Sequence, residues 1–409
     1  MNGAKPRIAF IIQRYGEQMT GGAESHCRQI AERLVKRYDV EILTTCATDH
    51  LSWKNTLPEG HQTLNGVTIR RFRSVGERKL LEFHRIYDRI FLTQLPAAEE
   101  YEMIRLQGPE TPDLIEYVRA HRLDYDAFVV YTYLYYTAVH TLPILKSKAL
   151  FIPTAHDETA LYVHILDELF RQTPHLVFLS DEEQFLLQRR FSLSSTAGLV
   201  GGLGIDEPAP GELDPAWDKL RQRLENRLVL SFVGRVENGK GCDELVDFFL
   251  RFVKEEARAD LMLLLLGRRT LPLAPHPQIL SPGYVSEYVK FQALEKTDIG
   301  MAPAPFESLC MAALETWMHA RPMLVNGRCP VLAGHCVRSN GGLWYTNYGE
   351  FREALKALLA DPALRTTLGA QGRAYVQSRY RWDVVEKVYV EAIERVMAET
   401  RNLSAQPSP

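Results

Sequence analysis

The chain has 409 residues, 46% of them apolar and 24% charged, with a net charge of −3. That length exceeds one ordinary core, so two α/β domains are expected, and the near-neutral balance argues against general nucleic-acid binding, which needs a basic excess. The start, MNGAKPRIAFII, lacks the apolar region and small-residue cleavage site of a signal peptide, and the longest aliphatic run, Leu261 to Leu266, is too short to span a bilayer; a cytoplasmic protein is expected. Cys27, Cys46, Cys242, Cys310, Cys329 and Cys336 form no C-x-x-C pair and no common zinc spacing, which fits reduced thiols packed as small apolar residues.

Taken in chain order, short β-rich runs alternate with helical patterns, the mark of parallel sheets with crossover helices. Strands are expected at 7–12, 40–45, 67–72, 127–133, 149–154, 176–180 and 197–201, with helical runs over 24–36, 112–121 and 181–191. Residues 48–66 read as a long loop, and 77–107, rich in Arg, Phe, Tyr and Leu, as an amphipathic helical region. Pro, Gly and acids cluster without periodicity over 204–217, the best domain boundary. The alternation then restarts with strands at 227–234, 261–267, 298–304 and 322–326, and the chain closes on a helix and the polar tail NLSAQPSP. The division is an N-terminal domain over 1–205, a linker over 206–225, a C-terminal domain over 226–380, a C-terminal helix over 381–401 for which packing back on the N-terminal domain is one arrangement, and a disordered tail over 402–409.

The strongest chemical signal is PAPFESLCMAALETWMHARPMLVNG, residues 303–327. A strand ends near Ala304, a loop carries Glu307, and a helix is expected from about Ser308 through Glu315. Eight helical steps rise about 12 Å, comparable with the span from a sugar to a ribose across a diphosphate. Free backbone N–H groups around Ser308, Leu309, Cys310 and Met311 would lie between the two carboxylates and favour an anion. Read alone, such a pair is equally a first-turn acid and a solvated helix residue. Its companion is SFVGRVENGKGCDELVDFF, residues 231–249, a strand, a turn holding Arg235, Gly239, Lys240 and Gly241, then a helix. Two cations ahead of a helix, at the carboxyl end of a strand, make a diphosphate site. In the N-terminal half Gly21 and Gly22 precede a helix with Glu24 in its first turn, a weak signal and not the dinucleotide fingerprint. His156 and Asp157 directly follow a strand, again at the edge where open α/β sheets bind ligands.

Together these segments resemble the retaining glycosyltransferases of family 4 with the GT-B fold, over nearly the whole chain. The resemblance is carried by the Gly21-Gly22 loop with Glu24, the His156-Asp157 dipeptide, Arg235 with Lys240, and Glu307 with Glu315 as the E-x7-E motif. It implies α/β architecture with two Rossmann-like domains facing each other across a cleft, the N-terminal one on the acceptor side and the C-terminal one binding the nucleotide sugar. It further implies that Glu307 contacts the transferred sugar, Glu315 the ribose, and Arg235 and Lys240 the diphosphate. Gly22 would close over the phosphates from the other domain, and His156 would sit near the sugar. Many members read E-G-F-G after the first glutamate, whereas this chain reads Glu307-Ser308-Leu309-Cys310, which is bulkier around sugar and diphosphate.

The implied chemistry is transfer of a sugar from a nucleoside-diphosphate donor to a hydroxyl of a glycan or lipid-linked glycan, with retention, in cell-surface polysaccharide or glycoconjugate assembly. His156, Arg235, Lys240 and Glu307 are its expected catalytic residues, with no metal and no cofactor beyond the donor substrate. Asp124-Tyr125-Asp126 has the spacing of a metal-binding D-x-D triplet but precedes a strand, at the wrong edge, and reads as an ordinary turn. The alternatives are a non-catalytic sugar-nucleotide-binding subunit and another GT-B enzyme, an inverting transferase or an epimerase. Region 77–107 mixes basic and aromatic residues as membrane-surface helices do, so peripheral membrane contact is a second reading beside a helix packed on the core.

Overall fold

A computed structural model describes residues 4–19 and 21–405. The chain forms two compact units: one takes the chain up to Leu203 together with Val385 onward, the other takes Gly204–Val384. Both are α/β units built on largely parallel sheets, the expected fold class.

In the first unit the strands are β1 (Arg7–Ile11), β2 (Asp39–Thr45), β3 (Gly60–Leu64), β4 (Val67–Phe72), β5 (Ala127–Tyr131), β6 (Ala149–Ile152), β7 (His175–Phe178) and β8 (Leu199–Val200). They lie in the order β3-β4-β2-β1-β5-β6-β7-β8, and all neighbours pair in parallel except the β3–β4 edge. The buried run AFVVY of β5 and its neighbour RIAFI of β1 are apolar on both faces because helices cover both. The edge strand β3 falls inside the segment expected as a long loop. Its GHQTL sequence is polar and mostly exposed, so it lacks the apolar alternation that marks a strand. The turn signal was nonetheless present: Asn65 and Gly66, at φ 50° and 82°, make the two-residue connection that suits a hairpin.

Region 77–107 is two helices, Leu80–Tyr87 and Ala97–Gln107, with Pro96 at the start of the second. Phe83, Met103, Ile104 and Leu106 enter the core of the unit. The helix Trp382–Ala405 contributes its residues from Val385 onward to this unit, where Tyr389 is buried and its hydroxyl donates to the Gly202 carbonyl at 2.7 Å. Residues 402–405 are therefore helical rather than tail, and 406–409 lie outside the described residues.

The second unit holds β9 (Leu228–Val233), β10 (Leu261–Leu266), β11 (Ile279–Gly283), β12 (Ile299–Ala302), β13 (Met323–Asn326) and β14 (Gly342–Tyr345), in the order β11-β10-β9-β12-β13-β14. The run LMLLLL of β10 serves both faces: Leu261, Leu263 and Leu265 join one core cluster, and Met262, Leu264 and Leu266 the other. Part of the stretch expected as a linker belongs to this unit, because helix Ala216–Leu224 packs Trp217, Leu220 and Leu224 into the second cluster. The edge strands β11 and β14, absent from the expected set, are short, and β11 contains Pro282, which is tolerated at an edge.

Candidate active site

In the second unit, β9 and β12 are parallel neighbours, and their carboxyl ends lead into the two loops that carry the expected residues. After β9 the chain runs through Arg235 to Lys240 and Gly241, then into helix Cys242–Glu255. Gly241 adopts φ 69°, and a Cβ there would stand 2.3 Å from the Pro303 carbonyl oxygen of the β12 loop, so only glycine lets the two backbones meet. Across that contact the Lys240 ammonium donates to Glu307 Oε1 at 2.6 Å. Burial pulls the ammonium pKa down, but the charge and hydrogen bond of Glu307 outweigh it and the net shift is upward. Arg235 turns instead to Glu237, 3.0 Å away.

The helix of the 303–327 segment starts later than expected, at Met311, with Cys310 as its cap at φ 62°. Ser308 and Leu309 therefore lie in the loop, and only part of the Glu307-to-Glu315 interval is helical, which removes the simple 1.5 Å-per-residue estimate of their separation. Cys310 stands where many E-G-F-G sequences have glycine, and it takes the left-handed conformation that glycine adopts without strain. Its thiol, half-buried beside Glu307, is pushed well above the ordinary range by desolvation and the carboxylate and stays neutral. The Cys310 carbonyl already accepts from the Ala313 N–H at 3.0 Å. Glu315 accepts from Lys290 at 3.1 Å.

In the first unit, the loop after β1 ends in Gly21, which caps helix Gly22–Leu34; Thr20 before it lies outside the described residues. Gly21 has an ordinary φ of −72°, and what demands glycine is space: a Cβ would be 2.0 Å from Glu24 Oε2. Gly22 faces open space, with nothing within 4 Å of where a Cβ would stand. Glu24, expected as a first-turn acid near the ligand edge, is instead buried in an ion pair with Arg14 at 2.6 Å. After β6, His156 Nε2 lies 3.5 Å from Glu158 Oε1, which also accepts from the Tyr133 hydroxyl at 2.6 Å. Asp157 accepts from the Tyr162 hydroxyl at 2.7 Å.

Residues 227–361 match the family described as Glycosyl transferases group 1. The fold is that of the GT-B glycosyltransferases. Sucrose-phosphate synthase of Thermosynechococcus elongatus is similar with a TM-score of 0.72 at 16% identity, over 97% of this chain and 100% of that one. HepE of Anabaena in complex with UDP and glucose is similar with a TM-score of 0.65 at 13% identity, over 95% and 99%. In sequence, an uncharacterised glycosyltransferase of Methanocaldococcus jannaschii is 20% identical over 96% of this chain and 98% of its own length.

Three residues around the Glu307–Glu315 segment were not singled out by sequence. Asn326, at the end of β13, donates to the Pro303 carbonyl at 2.9 Å. His335 holds the Leu309 carbonyl with Nε2 at 3.0 Å, so Nε2 carries the proton and Nδ1, 2.9 Å from Tyr375, accepts from its hydroxyl. Lys290 is the third. Each is a single polar residue in an otherwise ordinary helix or strand end, and no spacing rule marks it. The Asp124-Tyr125-Asp126 triplet sits at the amino end of β5, where Asp126 accepts from the Arg7 N–H at 2.8 Å and Tyr125 donates to Glu41 at 2.7 Å. Among the described residues no three His, Cys, Asp or Glu side chains gather as a metal site, and no helix is long and apolar enough to cross a membrane.

Glu183 supports the His156 loop from below. Its carboxylate accepts from the Ala155 N–H and the Leu179 N–H, both at 2.5 Å, which ties the ends of β6 and β7 together. Ser180 and Glu183 have the Ser-x-x-Glu spacing of a capping box, a signal that was readable in the sequence. Burial pushes the carboxyl up to about 8 against those two N–H groups. The folded state then holds one more proton than the unfolded state between the ordinary glutamate range and about 8, so stability falls as pH rises through that window. The melting temperature should therefore drop between pH 5 and pH 8, and Glu183→Gln should flatten that drop. If the two proteins instead lose melting temperature equally over that range, the carboxyl is ionised throughout and the prediction fails.

Proposed function

We propose that the chain is a retaining, cytoplasmic glycosyltransferase of the E-x7-E type. It moves a sugar from a nucleoside-diphosphate sugar to a hydroxyl of a glycan or lipid-linked glycan, in cell-surface polysaccharide or glycoconjugate assembly. The observation that carries this reading is the 2.6 Å contact between Lys240 and Glu307 at the carboxyl ends of adjacent parallel strands. It sets a phosphate-binding cation beside a carboxylate able to accept from sugar hydroxyls. The UDP and glucose held by HepE, a protein of the same fold, support a nucleotide-sugar donor.

In the proposed reaction the bond between the anomeric carbon and the diphosphate oxygen breaks as the acceptor oxygen bonds to that carbon on the same face. The acceptor proton passes to the departing diphosphate oxygen, so no protein base is needed. Lys240 and Arg235, with backbone N–H groups of the Ser308–Met311 stretch, stabilise the charge that grows on the leaving group. Glu307 holds sugar hydroxyls, Glu315 the ribose, and His156 serves as a hydrogen-bonding residue oriented by Glu158.

The test begins with thermal-shift binding of UDP-, GDP-, ADP- and dTDP-sugars, because a ligand that binds only the folded state raises its melting point. Turnover of the sugar that binds should give a product with the anomeric configuration of the donor, read by NMR on the early product; inversion removes the reading. Activity should also survive EDTA, since two cations are available to the diphosphate. Complete loss with EDTA, restored by Mn²⁺ or Mg²⁺, would overturn the metal-free mechanism.

A further inference from the structure

Lys290 lies on helix Glu287–Lys296, between β11 and β12, 25 residues before Glu315 in sequence. Its ammonium donates to Glu315 Oε1 at 3.1 Å and lies 2.8 Å from Glu287 Oε2. The Lys290 and Glu315 side chains keep 22% and 31% of their surface exposed, so the pair is partly sheltered yet reachable. Burial pulls the ammonium down and the two carboxylates more than restore it, so Lys290 is fully charged.

An ammonium has three N–H donors, and two carboxylates occupy two of them. Glu315 Oε1 is taken by Lys290, and Oε2 makes no hydrogen bond among the described residues. The pair thus presents one free donor beside one free acceptor. Adjacent hydroxyls on a ring can use that combination, because one can donate to a carboxylate while its neighbour accepts from an ammonium. We propose that Lys290 and Glu315 together read the two ribose hydroxyls of the donor, one residue to each, which makes Lys290 a specificity-determining residue for ribonucleotide over deoxyribonucleotide donors. The proposal rests on the reading of Glu315 as the ribose contact. A site built to pair a hydroxyl rejects the analogue lacking it, since its own polar group is then left unpaired.

The experiment is calorimetric titration of the full chain with UDP, 2′-deoxy-UDP and 3′-deoxy-UDP, and with the same sets of GDP and ADP. Wild type should prefer the ribonucleotide over each deoxy form by on the order of tenfold or more. Lys290→Met should abolish the preference against one deoxy form, and Glu315→Ala the preference against the other. Lys290→Arg, which keeps the charge and donors, should retain most of the wild-type preference. A purely structural ion pair would instead weaken all three nucleotides alike, so unchanged preference ratios in Lys290→Met overturn the proposal. If Glu315→Ala leaves ribonucleotide binding unchanged, or no nucleotide of the three bases binds wild type, the reading of Glu315 falls and the proposal with it.

Discussion

Replacing Lys240 by methionine should lower kcat for donor turnover by about a hundredfold or more, with the protein still folded. The cation is aimed by the fold. Lys240 ends the turn after β9, and Gly241 brings that turn onto the Pro303 carbonyl of the neighbouring strand's loop. Removing it deletes a preorganised charge where the leaving diphosphate develops its own, and such a contact typically contributes on the order of 3 kcal/mol to the transition state. It also leaves Glu307, whose side chain is only 16% exposed, without its partner. The two effects separate in a double variant. Glu307→Gln alone sets the reference, since Glu307 also holds the sugar: if the unpaired carboxylate were the whole cause, Lys240→Met with Glu307→Gln would turn over as fast as Glu307→Gln. If the leaving-group charge is what matters, the double variant is much slower than Glu307→Gln. Arg235→Met should cost less, because Arg235 is more exposed and already paired with Glu237. Unchanged kcat and donor KM in Lys240→Met would remove Lys240 from the diphosphate and, with it, the proposed site.

How far the sequence reveals such a site depends on which link is asked for. The β9 and β12 segments and the residues following them are legible because each strand is a dense apolar run bounded by glycine or proline. Strands without such a run escape: β3 is polar, and β11 carries proline at an edge. The start of the motif helix is misplaced because Cys310 takes a left-handed φ, which side-chain identity disfavours and the surrounding packing imposes. The charge partners are the least legible. Lys240 meets Glu307 across 67 positions and Lys290 meets Glu315 across 25, and both pairings follow from the strand order β10-β9-β12, which local periodicity does not encode. A residue's type announces that it needs a partner. Only the topology says which one it finds.

Glu24 shows the same limit on the other unit, and it carries the largest stability effect. Sequence places it in the first turn of a helix, where an acid is ordinary. The fold buries it, and its Oε1 accepts from Gln13 Nε2 at 3.1 Å and from Arg14 Nε and Nη2 at 3.0 and 2.6 Å. Arg14 also donates to the Thr48 carbonyl at 2.9 Å, so the loop after β1 is anchored to the chain beyond β2. Breaking a buried pair from one side is costly because the other charge stays behind unpaired. Arg14→Met should therefore destabilise the first unit by about 3–5 kcal/mol, seen as a fall in melting temperature on the order of 10 °C. Arg14→Met with Glu24→Met should regain most of that loss, since apolar residues of similar volume replace a buried pair at little net cost. Turnover of the double variant then separates anchoring from binding. Gly21 is kept free of a side chain by Glu24 itself, whose Oε2 lies 2.0 Å from where a Cβ would be. Removing the carboxylate takes away the group packed on the side of Gly21 where a Cβ would stand, so activity should recover less than stability. If Arg14→Met leaves the melting temperature unchanged, the ion pair is no anchor.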